Sequence, residues 1–238
     1  MQEVLNDLFD YSNLKIFQYV EGFKFSLDSI LLAEYVKTTS KTKNILDLCS
    51  GNASIPLILS TKTKAYIDAF EIQESIYNLA KKSILYNKLE NQITIYNSDI
   101  KEIDNYKKNK KYDIITCNPP YFKVENNSHV NYLEVLSIAR HEIKINLEEI
   151  FLLASSHLDD KGEFYMVHRA SRLDEVIITA NKYNLNVKNV ELIKTKEDSK
   201  PYIILVRCIK NSKLGIKINN EKNIDNLTTY QGLFKEDL

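Results

Sequence analysis

Asn44-Ile45-Leu46-Asp47-Leu48-Cys49-Ser50-Gly51-Asn52-Ala53-Ser54-Ile55-Pro56-Leu57 reads as a short buried strand, a tight turn of small residues and the start of a helix. Gly51 lets the backbone approach a ligand closely, because no Cβ intrudes. Pro56 suits the first turn of the following helix. In an open α/β sheet a nucleotide-like ligand lies over the carboxyl end of such a strand. Twenty residues past Gly51, the strand pattern Ala65-Tyr66-Ile67-Asp68-Ala69-Phe70 ends in Glu71. A carboxylate at that point can accept hydrogen bonds from both hydroxyls of a ribose. Asn52 and Ala53 occupy the turn where a dinucleotide fold would show a fuller glycine fingerprint, so no close approach to a pyrophosphate is indicated.

Outward from this unit, helix and strand alternate. Strand patterns read at 44–48, 65–70, 92–97, 112–117, 162–168, 187–194 and 201–209, with helical periodicity near 28–37, 53–60, 73–87, 146–158 and 171–183. Helices between strands argue for parallel crossovers. The last two strands are separated only by Thr195 to Lys200, too few residues for a crossover, so the final strand is expected to return antiparallel in a hairpin. The expected fold class is therefore α/β: a mostly parallel, doubly wound seven-stranded sheet with an antiparallel last strand and helices on both faces. A chain of 238 residues can build one substantial core, and no linker, repeat or composition break divides it. Residues 1–238 are expected to form a single domain, with 1–40 as an N-terminal extension.

The strand pattern Tyr112-Asp113-Ile114-Ile115-Thr116-Cys117 leads directly into Asn118-Pro119-Pro120-Tyr121, which holds two of the four prolines in the chain. These residue types suit transfer of a methyl group to an exocyclic amine. The lone pair of such an amine is delocalised into its ring, so it attacks slowly unless both N–H groups are held. The side-chain oxygen of Asn118 and the backbone carbonyl of Pro119 can both accept. Adjacent prolines fix φ and offer no competing N–H, and Tyr121 presents a flat face for a planar base. A rigid strand exit with Tyr121 covering the core is the plainer alternative for the tetrapeptide alone.

Taken in order, Asp47-Leu48-Cys49-Ser50-Gly51, Glu71, Ser98-Asp99-Ile100 and Asn118-Pro119-Pro120-Tyr121 resemble the class I S-adenosylmethionine-dependent methyltransferases, in the branch that methylates amines. Gly22-Phe23-Lys24-Phe25-Ser26-Leu27-Asp28-Ser29-Ile30-Leu31-Leu32-Ala33 and Ala139-Arg140-His141-Glu142 resemble the bacterial tRNA1(Val) adenine N6-methyltransferases, which modify the adenosine just 3′ of the anticodon. The likeness runs from about Gly22 to about Arg207 and departs at Ala53, where relatives often have a second glycine. It implies a Rossmann-like class I methyltransferase fold, S-adenosyl-L-methionine as cofactor and tRNA as partner. On this resemblance Phe25, Asp28, Asp47, Cys49, Gly51, Glu71, Asp99 and Asn118 surround the cofactor, with Phe25 to Ser29 closing over it. Asn118, Pro119 and Tyr121 form the catalytic set on the target base. For Asp28, complementing the dipole of its own helix, with Ser26 ahead of it, is an equal alternative.

Other activities fit less well. Protein glutamine methylation uses the same tetrapeptide, but such enzymes carry a helical substrate domain, and only about forty residues precede the first strand here. DNA adenine methylation leaves little room for a target-reading domain. A guanine N2 enzyme more often has Phe where Tyr121 stands. A catalytically silent RNA-binding scaffold is a reading from a different class.

With 32 basic and 32 acidic residues the net charge is zero, so the chain is no general polyanion binder. Arg169 and Arg172 follow the fifth strand and should open on the rim that holds Asn118. Tyr121 and Phe122, with Arg140 and His141, mix aromatic and basic character as RNA pockets do. Tyr121, Phe122, Arg140, Arg169 and Arg172 are thus the substrate candidates. Lys107, Lys108, Lys110 and Lys111 precede their strand at the opposite edge and read as a solvated face, while Lys194, Lys196 and Lys200 flank the last hairpin. Cys49, Cys117 and Cys208 form no Cys-x-x-Cys pair and read as buried free thiols, with no metal site. No apolar run approaches a membrane span, and Glu3, Asn6 and Asp7 do not suit a signal peptide. A soluble cytoplasmic protein with no membrane association and no obligate protein partner is expected.

Overall fold

The chain enters its fold through an antiparallel hairpin, β1 (Glu3–Leu8) with β2 (Tyr11–Tyr19), where the sequence reading expects only an extension. The computed structural model describes residues 2–9, 11–21, 26–120, 145–194, 199–219 and 221–224. Leu8, Leu14 and Ile16 of the hairpin are buried in the same core cluster as Ile30 and Ile45. Then follow α1 (Leu27–Tyr35), β3 (Asn44–Leu48), α2 (Ser54–Lys62), β4 (Tyr66–Glu71), α3 (Glu74–Tyr86) and β5 (Ile93–Asn97). After α4 (Ile103–Lys107) come β6 (Tyr112–Cys117), α5 (Leu147–His157), β7 (Leu158–Arg169), α6 (Leu173–Lys182), β8 (Leu185–Lys194) and β9 (Ile203–Lys210).

Strand order in the main sheet is β8-β9-β7-β6-β3-β4-β5, with β3 to β7 parallel to one another and β9 antiparallel to both β7 and β8. The expected hairpin is present, and its second strand returns between β7 and β8. Two two-residue strands, β10 (Lys217–Ile218) and β11 (Lys222–Asn223), add to β8 and raise the described sheet from the expected seven strands to nine. β7 begins at Leu158 instead of 162, because Leu158 pairs with Tyr112 ahead of a register shift.

Ile45, Leu46 and Leu48 of β3 are buried because both faces of the strand are covered. Ile45 joins the layer with Ile30 of α1, Ile58 of α2 and Ile84 of α3, while Leu46 and Leu48 join Ile103, Phe151 and Val176 from α4, α5 and α6. The chain leaves β3 toward β4 on one side, and β6 pairs on the other. Loops beyond the carboxyl ends of β3 and β6 therefore diverge and open a crevice.

The lysine run is not simply solvated. Lys110 Nζ lies 2.6 Å and Lys107 Nζ 3.2 Å from the carboxylate of Asp68, which is buried in β4 and also accepts from the Tyr112 hydroxyl at 2.9 Å. A carboxylate taken out of water needs such partners. Among the described residues, no helix is long and apolar enough to cross a membrane.

Candidate active site

The turn after β3 is wound tightly. Cys49, Gly51 and Ala53 have φ of 58°, 56° and 68°, in the left-handed region. Glycine adopts this freely; Cys49 and Ala53 do so at a cost of roughly 1 kcal/mol each. Neighbouring bonds hold them there: Ser50 N–H donates to the Phe70 carbonyl at 2.8 Å, Ala53 N–H to the Ser50 carbonyl at 2.9 Å, and Ser50 Oγ to the Asp47 carbonyl at 3.0 Å. Asn52 Nδ2 reaches the Phe17 carbonyl at 3.4 Å, which ties the turn to the N-terminal hairpin.

Glu71, the last residue of β4, is 5% exposed. Its Oε2 accepts from the Gly51 N–H at 2.9 Å and its Oε1 from the Gln73 N–H at 2.8 Å. Two backbone donors thus fix the carboxylate beside the turn, and an oxygen that accepts one bond has a further lone pair. Asp99, beyond β5, caps a short 3-10 turn by accepting from the Lys101 N–H at 3.0 Å. Asp47, Glu71, Asp99 and Asn118 therefore stand at the carboxyl ends of four adjacent strands.

Asp47 is fully buried, and Thr116 Oγ1 donates to its Oδ1 at 2.5 Å. Its Oδ2 is buried and meets no donor among the described residues. An ammonium-bearing ligand lying over the strand end would satisfy that acceptor, so the residues present fit a methionine-derived cofactor. Burial, opposed by contacts from Thr116 and Ser50 and reinforced by Glu71, pushes the Asp47 carboxyl up to about 7. Since this exceeds the unfolded value of 3.8, the folded form keeps a proton that the unfolded form has already released. The stability contributed by Asp47 is full below pH 4 or so and is lost as pH rises through about 7. Asp47→Asn should flatten that decline, measured by urea unfolding without cofactor at pH 5 and pH 8. Identical pH dependence in both proteins would refute the assignment.

Asn118 follows β6, and its Nδ2 donates to Ser29 Oγ at 2.8 Å and to Ser26 Oγ at 3.3 Å. Both serines sit at the start of α1, where Ser26 is the N-cap and accepts from the Ser29 N–H at 3.3 Å. The contact between α1 and the Asn118 loop was not foreseen from sequence; neither was the support of Asp47 by Thr116. Asp28 turns to the Tyr202 phenol, whose ionisation is held back first by burial and then by this carboxylate. Cys49 is half-buried, not buried as expected, and the free thiol of Cys117 beside it is held from ionising first by burial and then by Cys49.

At the outer rim Arg169 is half-buried. Arg172 is engaged by Glu175 through Nε at 2.8 Å and Nη2 at 2.7 Å, so its charge is locally balanced. His168, buried beside them, is pushed down to about 4 by burial and by Arg172, which leaves its ring neutral near pH 7. Phe25, Tyr121, Phe122, Arg140 and His141 lie outside the described residues.

The family model of the methyltransferase small domain matches residues 24–200. The chain belongs to that family. It is an S-adenosylmethionine-dependent methyltransferase with a class I fold. Among curated relatives, a Cytophaga hutchinsonii protein named tRNA1(Val) (adenine(37)-N6)-methyltransferase is 25% identical over 190 residues, covering 78% of this chain and 76% of its own. A Pedobacter heparinus protein of the same name is 26% identical over 211 residues, covering 87% and 86%. Among solved structures, Agrobacterium tumefaciens Atu636, titled a predicted O-methyltransferase, superposes with a TM-score of 0.66 over 83% of this chain and 88% of its own. At 17% identity that likeness is one of fold.

Proposed function

We propose that this methyltransferase modifies the N6 amine of an adenosine in tRNA, and that the target is the adenosine next to the anticodon of tRNA-Val. The observation that carries the reading is the Asn118 amide, held at the carboxyl end of β6 and followed by Pro119 and Pro120, one strand away from the Asp47 turn. The names of relatives about 25% identical support the tRNA and the position.

Asp47, Gly51, Glu71 and Asp99 would hold the cofactor, which supplies an activated methyl group on a sulfonium. Asn118 Oδ1 and the Pro119 carbonyl accept the two N–H bonds of the adenine amine and aim its nitrogen lone pair at the methyl carbon. Bound there, the cofactor would supply the methyl carbon and leave as a neutral thioether, and the methylated amine would release its extra proton to water. No general base is needed. The contribution of the protein is proximity and orientation.

The test is incubation with isotopically labelled S-adenosylmethionine and, separately, total tRNA, ribosomal RNA and a release-factor peptide carrying a glutamine. Labelled N6-methyladenosine from tRNA-Val is the expected product, mapped to the residue beside the anticodon by mass spectrometry. Label on another tRNA would overturn the positional reading alone. Label on the peptide glutamine would overturn the RNA reading.

A further inference from the structure

An asparagine amide has two flips of nearly the same shape and opposite chemistry. In one, Oδ1 faces the substrate amine and accepts from it; in the other, Nδ2–H meets N–H, donor against donor. A catalytic asparagine therefore needs a neighbour that tells the flips apart. Pro119 and Pro120 carry no N–H that could compete for Oδ1, so what fixes the flip is an acceptor for Nδ2.

We propose that Ser29, assisted by Ser26, is a positioning residue that selects the working flip of Asn118. Ser29 Oγ receives Nδ2 at 2.8 Å, and Ser26 Oγ receives it at 3.3 Å. The two hydroxyls lie 3.3 Å apart and share a hydrogen bond. A hydroxyl that gives its only hydrogen to its neighbour has just lone pairs left for a third group. Either serine can give the hydrogen of that bond; where Ser29 gives it, its Oγ acts toward the amide as an acceptor alone and turns Oδ1 to the opposite side. The spacing of three residues puts both hydroxyls on one face of the first helical turn.

The support is rigid. Ser29 is buried, Ile30 to Ala33 behind it are in the core, and Lys62 Nζ caps the far end of α1 by donating to the carbonyls of Ala33, Glu34 and Val36 at 2.8, 2.9 and 2.6 Å. Docking of α1 and competence of the Asn118 loop are therefore one event. This inference rests on the proposed role of Asn118, and its test separates the two.

Single-turnover methylation of tRNA and calorimetric cofactor affinity would be measured for Ser29→Ala, Asn118→Ala and the double variant. Ser29→Ala should slow methylation about tenfold, the scale of one lost hydrogen bond, with cofactor affinity within about twofold. In the Asn118→Ala background the same change should cost nothing further, because residues acting through one group are not additive. Full activity of Ser29→Ala overturns the inference, and so does an undiminished loss in the Asn118→Ala background. Should Ser29→Ala fold poorly, Ser26→Ala at an exposed position carries the same cycle with a smaller expected loss, and its full activity is equally adverse. Full activity of Asn118→Ala alone would instead remove the proposed function.

Discussion

Asn118→Ala is expected to keep its cofactor affinity and to lose turnover by about a hundredfold or more, the scale seen when one preorganised polar partner of a transition state is removed. The residue lies beyond β6, whereas the donors that hold the Glu71 carboxylate include Gly51 and Gln73, and Ser50 braces the Cys49 to Ala53 turn. In the proposed role its oxygen orients an amine that is a poor nucleophile when left to itself, so the loss should fall on the chemical step. Water entering the space cannot replace it, because a mobile acceptor does not aim the lone pair. Single-turnover assays on tRNA, read as N6-methyladenosine by mass spectrometry beside calorimetry of the cofactor, would separate the two quantities. A fully active variant would show that the amide has no catalytic role.

The parts of this site that were legible in the sequence are those whose chemistry is local. Gly51 and Glu71 announce themselves because a tight turn and a strand end impose their own residue types, and the short link between β8 and β9, residues 195–202, forbids a crossover whatever lies elsewhere. What was not legible depends on partners distant along the chain. The hairpin β1–β2 has a polar, half-exposed pattern and is secured on α3, where the Phe17 N–H donates to Ser83 Oγ at 2.9 Å and Asn87 brackets Lys15. Lys107 and Lys110 read as solvated because their carboxylate, Asp68, stands some forty residues earlier, inside a strand pattern. Thr116 looks like one more residue of an apolar strand until β6 pairs with β3 and sets it opposite Asp47. Ser29 and Asn118 are 89 residues apart. In each case the strand order, not the local pattern, creates the contact.

Glu71→Ala is expected to weaken S-adenosylmethionine binding by at least about a hundredfold, because charge-assisted bonds to the two ribose hydroxyls, each worth roughly 1.5 to 3 kcal/mol, would be lost together. A second cost falls on the protein itself. The Gly51 and Gln73 N–H groups both donate to this carboxylate, and truncation deprives them of that acceptor beside the turn. The turn already holds Cys49 and Ala53 at positive φ, so its winding depends on such bonds. Glu71→Gln should be almost as damaging, although it is usually a mild change. The carboxylate receives a backbone N–H on each oxygen, and an amide must present its NH2 to one of them. Calorimetry of the cofactor, with thermal unfolding of the free protein as a control, distinguishes loss of ligand contacts from loss of fold. If a folded Glu71→Ala protein binds the cofactor as tightly as the parent, Glu71 serves only to brace the turn, and the ribose must be held elsewhere.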